Sequence, residues 1–263
     1  MVTSATLTPN ANFSFLLGRL GLDDAETQVE TAQFPSPFDY GANAMLVVPS
    51  DTPAPNLDPV GHQRAVVGHV LDVAEASDGG LFVLCTSHRD VRALSGLLRD
   101  AAVAHGWPLL VHGEDGRDTL LKRFRQSGRA ILVGTATFWE GVDVPGHALR
   151  GLVINKLPFR VPTEPMVSAQ CDAIEARGGD PFMEYMLPHA TLRLKQGVGR
   201  LIRTATDRGV IVLDDVRVVT KRYGRDLLDA LPPAQRVLRP WAEAERRIID
   251  FYAARAAETL STP

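Results

Sequence analysis

Cysteine is scarce. The chain of 263 residues holds two, Cys85 and Cys171, far apart and without a CxxC pair or Cys/His ligand spacing. No disulfide framework, zinc site or iron–sulfur site is encoded, and a reducing cytoplasm fits such a chain. No stretch approaches the roughly 20 apolar residues of a membrane span. The N-terminus lacks the basic start and apolar run of a signal peptide. A soluble cytoplasmic protein with no membrane partner is expected. A Gly-Lys dipeptide is missing throughout, so no Walker A loop is present to cradle phosphates, and no Asp-Glu-Ala-His-like segment could hold magnesium. Overall basicity is missing too, at a net charge of −3. The charge is unevenly spread, however: residues 1–60 carry one basic residue against seven acids, whereas 193–225 carry nine Lys/Arg against three Asp. Such a local excess can attract an anionic ligand, although a solvated basic face would show the same count.

Apolar residues make up 45% of the chain, enough for one large core or two smaller ones. Met1–Pro9 leads into a helix-like Asn12–Leu20 with no earlier element to pack on, so the chain is expected to continue a longer polypeptide. Six prolines between 32 and 60 mark a connector, interrupted by one strand-like run, Ala44–Val48. Apolar spacing predicts a helix over Gly61–Ala76. Leu81–Cys85 is a continuous apolar run, as in a strand buried on both faces. Strands are likewise predicted at Pro108–Val111, Arg129–Val133, Gly151–Ile154 and Gly209–Leu213. Helices fall behind Ser87, over Asp118–Gln126, Gln170–Arg177 and Pro181–Leu187, and in the tail over Arg236–Glu258. Strands alternating with helices argue an α/β fold with a parallel, doubly wound sheet. Four units are expected: a lead-in at 1–31, the connector at 32–60, the main domain at 61–232 and a helical tail at 233–263.

The most unusual stretch runs from Arg193 to Thr204. On a helix at 100° per residue, Gln196, Arg200 and Arg203 share a stripe about 60° wide. Val198, Leu201, Ile202 and Ala205 form an apolar stripe opposite. Gly197 and Gly199 cost roughly 1 kcal/mol each in helix propensity and remove bulk beside the polar stripe. This pattern suits a phosphate-bearing ligand better than a solvated helix, which alanine would serve better.

In open parallel sheets ligands bind beyond the carboxyl ends of strands. There the chain places Thr86 and Ser87, hydroxyls at a helix start that can meet a phosphate or simply cap the helix with Asp90. Gly134–Gly146 follows another strand and holds Thr135, a Thr137/Glu140 capping pair, Gly141 and Asp143 in a tight loop, a place a bare turn could also explain. Asp214, Asp215 and Arg217 end the last strand, with Asp215 and Arg217 spaced either to pair or to brace the arginine stretch. A hydrolase built on Cys85 or Ser87 with His88 is disfavoured, because adjacent side chains rarely face each other and no Gly-x-Ser-x-Gly elbow exists.

Gln196-Gly-Val-Gly-Arg200-Leu-Ile-Arg203 resembles motif VI of superfamily 2 helicases. Gly134–Gly146 resembles motif V of the DinG/XPD-type branch, and Ser4-Ala5-Thr6 resembles motif III, which closes the first motor domain there. Lys156–Phe159 and Leu213–Gly224 are also similar to DinG-type proteins. The likeness covers nearly all of residues 1–232 and none of the last thirty. It implies a RecA-like fold serving as the C-terminal motor domain of an ATP-dependent DNA helicase, moving 5′ to 3′. Arg200 and Arg203 would be arginine fingers reaching ATP phosphates, with Gln196 ordering a phosphate or the attacking water. Gly141 and Asp143 would approach the nucleotide, and Thr86, Ser87 and Thr135 the backbone of single-stranded DNA. ATP and magnesium would be held mainly by an N-terminal motor domain outside this chain, which would also carry any iron–sulfur cluster. Alone, the chain is expected not to hydrolyse ATP. A stand-alone RecA-like nucleic-acid-binding module without catalysis is the alternative.

Overall fold

The computed structural model describes residues 1–4, 6–9, 12–23, 28–135, 138 and 147–254, and the backbone of 255–260. Seven strands among these residues form one sheet in the order β3-β4-β2-β5-β6-β1-β7. They are β1 (Ala44–Val47), β2 (Leu81–Cys85), β3 (Leu109–Val111), β4 (Ile131–Thr135), β5 (Gly151–Ile154), β6 (Gly209–Leu213) and β7 (Gln235–Val237). Every pairing is parallel. The α/β, RecA-like architecture expected from the sequence is therefore present.

The strands read as continuous apolar runs because helices cover both faces, so successive side chains point into two different cores. On one face Phe82, Leu84, Leu132, Leu152, Ile154, Ile211 and Leu213 pack with Phe124 and Leu194. These last two belong to α5 (Arg117–Ser127) and α7 (Leu187–Val198). On the other face Leu81, Val83, Ile131, Val133, Val153, Val210 and Val212 meet Val66, Val70, Leu94, Leu98 and Ile248. Those come from α3 (Pro59–Ser77), α4 (His88–Ala104) and α10 (Trp241–Leu260). The remaining helices are α1 (Ser14–Leu20), α2 (Tyr40–Asn43), α6 (Pro165–Ala176), α8 (Arg217–Thr220) and α9 (Tyr223–Asp229), with a π-helical turn at Phe182–Met186 leading into α7. Among the described residues, no helix is long and apolar enough to cross a membrane.

The tail differs from expectation. A helix was the reading for Arg236–Glu258, but Gln235–Val237 extend beside β1, and the helix begins only at Trp241. The open edge of β1 supplies backbone partners: Val48 N–H donates to Val237 O at 2.9 Å, and Ser50 N–H to Arg239 O at 3.0 Å. Pro240 then stops the ladder and suits a helix start. The strand of the proline-rich connector, β1, thus lies inside the sheet rather than beside it. One glycine is dictated by crowding: Gly79, at φ +75°, lies so close to Arg129 that an added Cβ would sit 2.1 Å from its carbonyl oxygen.

Candidate functional site

The residues singled out in the sequence fall at opposite edges of the sheet. The Gln196–Arg203 stretch lies at the amino edge. Gln196 is in the last turn of α7, but the helix stops at Val198 and Gly199 caps it. Arg200 N–H reaches Gly197 O at 3.0 Å and Leu201 N–H reaches Val198 O at 3.2 Å, a tighter turn than the α-helix. The single helical stripe joining Gln196, Arg200 and Arg203 is therefore not what the chain forms, and Ala205 is exposed rather than apolar packing. Neighbouring Leu201 and Ile202 are both buried. A continued helix would point them about 100° apart, and the turn lets both enter the core in front of β6. Gly209 leaves the room, since a Cβ there would lie 2.7 Å from the Leu201 side chain.

Asp207, buried, fixes the turn. Its carboxylate accepts from Arg203 N–H at 2.7 Å, Thr204 N–H at 2.9 Å and Thr204 Oγ1 at 2.6 Å. Sequence reasoning missed Asp207, although Thr204-x-x-Asp207 has the spacing of a side-chain-closed turn. Arg203 is half-buried near Tyr40. Burial raises the Tyr40 hydroxyl above its ordinary pKa, against the lowering effects of a Ser36 hydrogen bond and the Arg203 charge. The Gln196 amide is half-buried and makes no hydrogen bond with the described residues. The tail supports this edge: the Arg208 guanidinium lies 4.2 Å from the Phe251 ring, and Tyr252 Oη donates to Arg150 O at 2.6 Å.

The N-terminal segment also docks on α7. Lys195 Nζ donates to Thr8 O at 2.9 Å. Arg19 donates to His189 Nε2 at 2.6 Å, which requires an uncharged imidazole. Burial and the charges of Arg160, Arg19 and Arg193 push His189 from 6.5 down to about 4. Between those values the unfolded chain binds the extra proton and the folded chain does not. Stability is then fully present above about pH 6.5 and falls as the pH drops toward 4. After allowance for solvent screening, a loss of about 1–2 kcal/mol is expected. Urea unfolding at pH 7.5 and 4.5 should show it in the native chain and show much less in His189→Gln. Equal pH dependence in both would remove His189 from the account.

The other sequence candidates gather at the carboxyl edge. Ser87 caps α4, accepting from Asp90 N–H at 3.1 Å and donating to Asp90 Oδ2 at 2.7 Å. Thr86 Oγ1 reaches the same oxygen at 3.3 Å, and Lys156 Nζ lies 2.9 Å from it. Burial alone would raise the Asp90 pKa, but Lys156, Ser87 and Thr86 together hold it below the ordinary carboxylate range. The carboxylate is thus a charged hub neutralised by Lys156, a partnership no local spacing revealed. Thr135 ends β4, and its N–H donates to His112 Nδ1 at 3.4 Å. Gly141 and Asp143 lie outside the described residues, as do Thr137 and Glu140.

The carboxylate pair after β6 divides its work. Asp214 lies 2.6 Å from His69, whose ring stacks on Trp241 at 3.7 Å. Asp215 takes Arg217 in a bidentate bridge, at 2.8 Å from Nε and 2.6 Å from the terminal nitrogen, and accepts from Leu157 N–H at 2.8 Å. Asp215 and Arg217 therefore pair with each other and hold the Lys156–Phe159 loop, rather than bracing the arginine stretch. Both aspartates are fully buried, so they are structural anchors.

The family described as helicase C-terminal domain matches residues 70–234. The chain belongs to that family. Its relatives include the ATP-dependent DNA helicase YoaA of Escherichia coli K12, 44% identical over 234 residues, which are 89% of this chain and 35% of that protein. The ATP-dependent DNA helicase DinG of Photobacterium profundum is 38% identical over 242 residues, covering 90% of this chain and 34% of the relative. The chain thus spans about a third of the length of these relatives. Among solved structures, an apo XPD shows a TM-score of 0.59 at 15% identity over 75% of this chain and 40% of its own. Xpd4 of S. tokodaii shows 0.54 at 15% identity, over 81% and 42%. These share the fold.

Of the cofactors the family implies, an iron–sulfur cluster does not fit these residues. Cys85 is buried inside β2, Cys171 lies on α6, and among the described residues no group of three His, Cys, Asp or Glu could hold a metal.

Proposed function

We propose that this chain is the second motor domain of an ATP-dependent DNA helicase. Arg200 and Arg203 reach, as arginine fingers, the phosphates of an ATP that an N-terminal motor domain holds with magnesium. Gln196 orders a phosphate oxygen or the attacking water, and Gly141 and Asp143 approach the same nucleotide. At the carboxyl edge Thr86, Ser87 and Thr135 line the path of single-stranded DNA, and movement is 5′ to 3′ as in the family resemblance. The observation carrying this reading is the separation of the arginine turn from the hydroxyl-bearing loops, at opposite ends of one rigid parallel sheet. A guanidinium placed at developing phosphoryl charge acts in the transition state, and a sheet packed on both faces can carry a small shift to the strand-binding edge.

Without a Gly-Lys dipeptide the chain holds no phosphate loop of its own. Measured alone, it should show no ATP hydrolysis. Joined to a motor domain bearing Walker A, it should show hydrolysis stimulated by single-stranded DNA. Turnover by the isolated chain, or turnover indifferent to DNA in the joined protein, would sink the assignment. DNA binding with no turnover in the joined protein would instead favour a RecA-like binding module without catalysis.

A further inference from the structure

Beyond the hydroxyls of the carboxyl edge, a cleft opens between α4 and the turn after β3. His88, Arg92, Ser95, Gly96 and Arg99 line one side, and Val111, His112, Gly113 and Glu114 the other. The His88 ring is exposed and lies tilted by 50° against His112 with ring centroids 4.8 Å apart, and His112 in turn meets buried Phe138 edge-on at 4.7 Å. His112 Nδ1 lies 3.4 Å from the Thr135 backbone nitrogen and 3.1 Å from Thr135 Oγ1, contacts that fix the orientation of the ring. Burial, His88 and Arg117 all oppose a second proton, lowering the His112 pKa. The imidazole is therefore held in one orientation and resists gaining a charge. Arg92 is exposed and makes no ion pair among the described residues, while Arg99 is tied to Glu114 at 2.7 Å, which neutralises the carboxylate in the lining. Gly96 sits inside α4, where alanine would be better by about 1 kcal/mol. A Cβ there would meet nothing within 4 Å, so the glycine keeps the wall open without any packing need.

We infer that this cleft is a subsite for one further nucleotide of the single strand, its base on the His88 ring and its phosphate at Arg92. An aromatic platform beside one unpaired cation is the arrangement by which single strands are held without sequence readout. The subsite rests on the reading of the carboxyl edge as the strand-binding face, and adjoins Thr135 through His112.

The test is binding of a fluorescent oligothymidylate to the full chain, followed by anisotropy across a salt series. His88→Ala should weaken binding roughly tenfold, within the range of one stacked base, and His88→Phe should restore it. Arg92→Ala should reduce the slope of log affinity against log salt by about 0.7, the increment for one phosphate on a single strand, while His88→Ala leaves that slope unchanged. Gly96→Met should fill the cleft and weaken binding while thermal stability holds or rises. If the native chain binds and these variants bind equally well with an unchanged salt slope, the subsite is wrong and the wider strand-binding face stands. If the native chain does not bind at all, both readings fall together.

Discussion

Arg203→Ala, introduced into the chain joined to a Walker-A-bearing motor domain, should lower DNA-stimulated ATP turnover by roughly 10³-fold or more, the scale on which arginine fingers act in phosphoryl transfer. The protein should fold as before, because the Asp207 turn is closed by the Arg203 backbone N–H and by Thr204, neither of which the substitution removes. Arg203→Lys should rescue little: a point charge on a flexible stem does not reproduce a planar guanidinium fork. Binding to single-stranded DNA without nucleotide should remain within about twofold, since Arg203 stands at the amino edge and the strand path at the other. Near-normal turnover in the alanine variant, with native unfolding behaviour, would remove Arg203 from the catalytic role. A parallel loss of turnover and of thermal stability would point to packing near Tyr40 instead.

The largest stability effect should come from the opposite edge. The Arg217 guanidinium is 25% exposed, whereas its partner Asp215 is completely buried. Arg217→Met removes both charge-assisted hydrogen bonds and strands the carboxylate, leaving Leu157 N–H and Arg217 N–H as its donors. Breaking a buried pair from one side costs about 3–5 kcal/mol, and partial solvent access of the guanidinium puts the expectation near the lower figure. For a domain of this size that is a fall in Tm of about 6–12 °C. Replacing both partners by apolar residues of similar volume should recover much of the loss, because no buried charge is then left alone. A single variant within about 0.5 kcal/mol of the native chain would show the bridge to be dispensable. DNA binding offers a second readout, since the same aspartate positions Leu157 beside Lys156, the cation on Asp90.

Much of the molecule was legible in its residues. The continuous apolar runs at Leu81–Cys85, Gly151–Ile154 and Gly209–Leu213 could be satisfied only by a sheet covered on both faces, and they are its central strands. Ser87 and Asp90 announced the start of α4 through their own side chains. The glutamine and arginines of 196–203, read with the motif resemblance, marked the family before any coordinate was known.

Other features depended on distant parts of the chain. Helical periodicity continued past Val198, yet the helix ends there because Leu201 and Ile202 both find room in front of Gly209, and Asp207 closes the turn. β7 exists because β1 offered an unpaired edge, which no window around Gln235 could disclose. The hydrogen bonds of His112 with Thr135, and of Asp215 with Leu157, join residues 23 and 58 apart in sequence. Local patterning by itself determined the central strands and the start of α4, since periodicity, capping and turn preferences act over a few residues. Only the tertiary structure decided that the arginine turn and the hydroxyl-bearing loops stand at opposite edges of the sheet, because that placement follows from the order in which the strands pair, and strand order is settled by long-range burial.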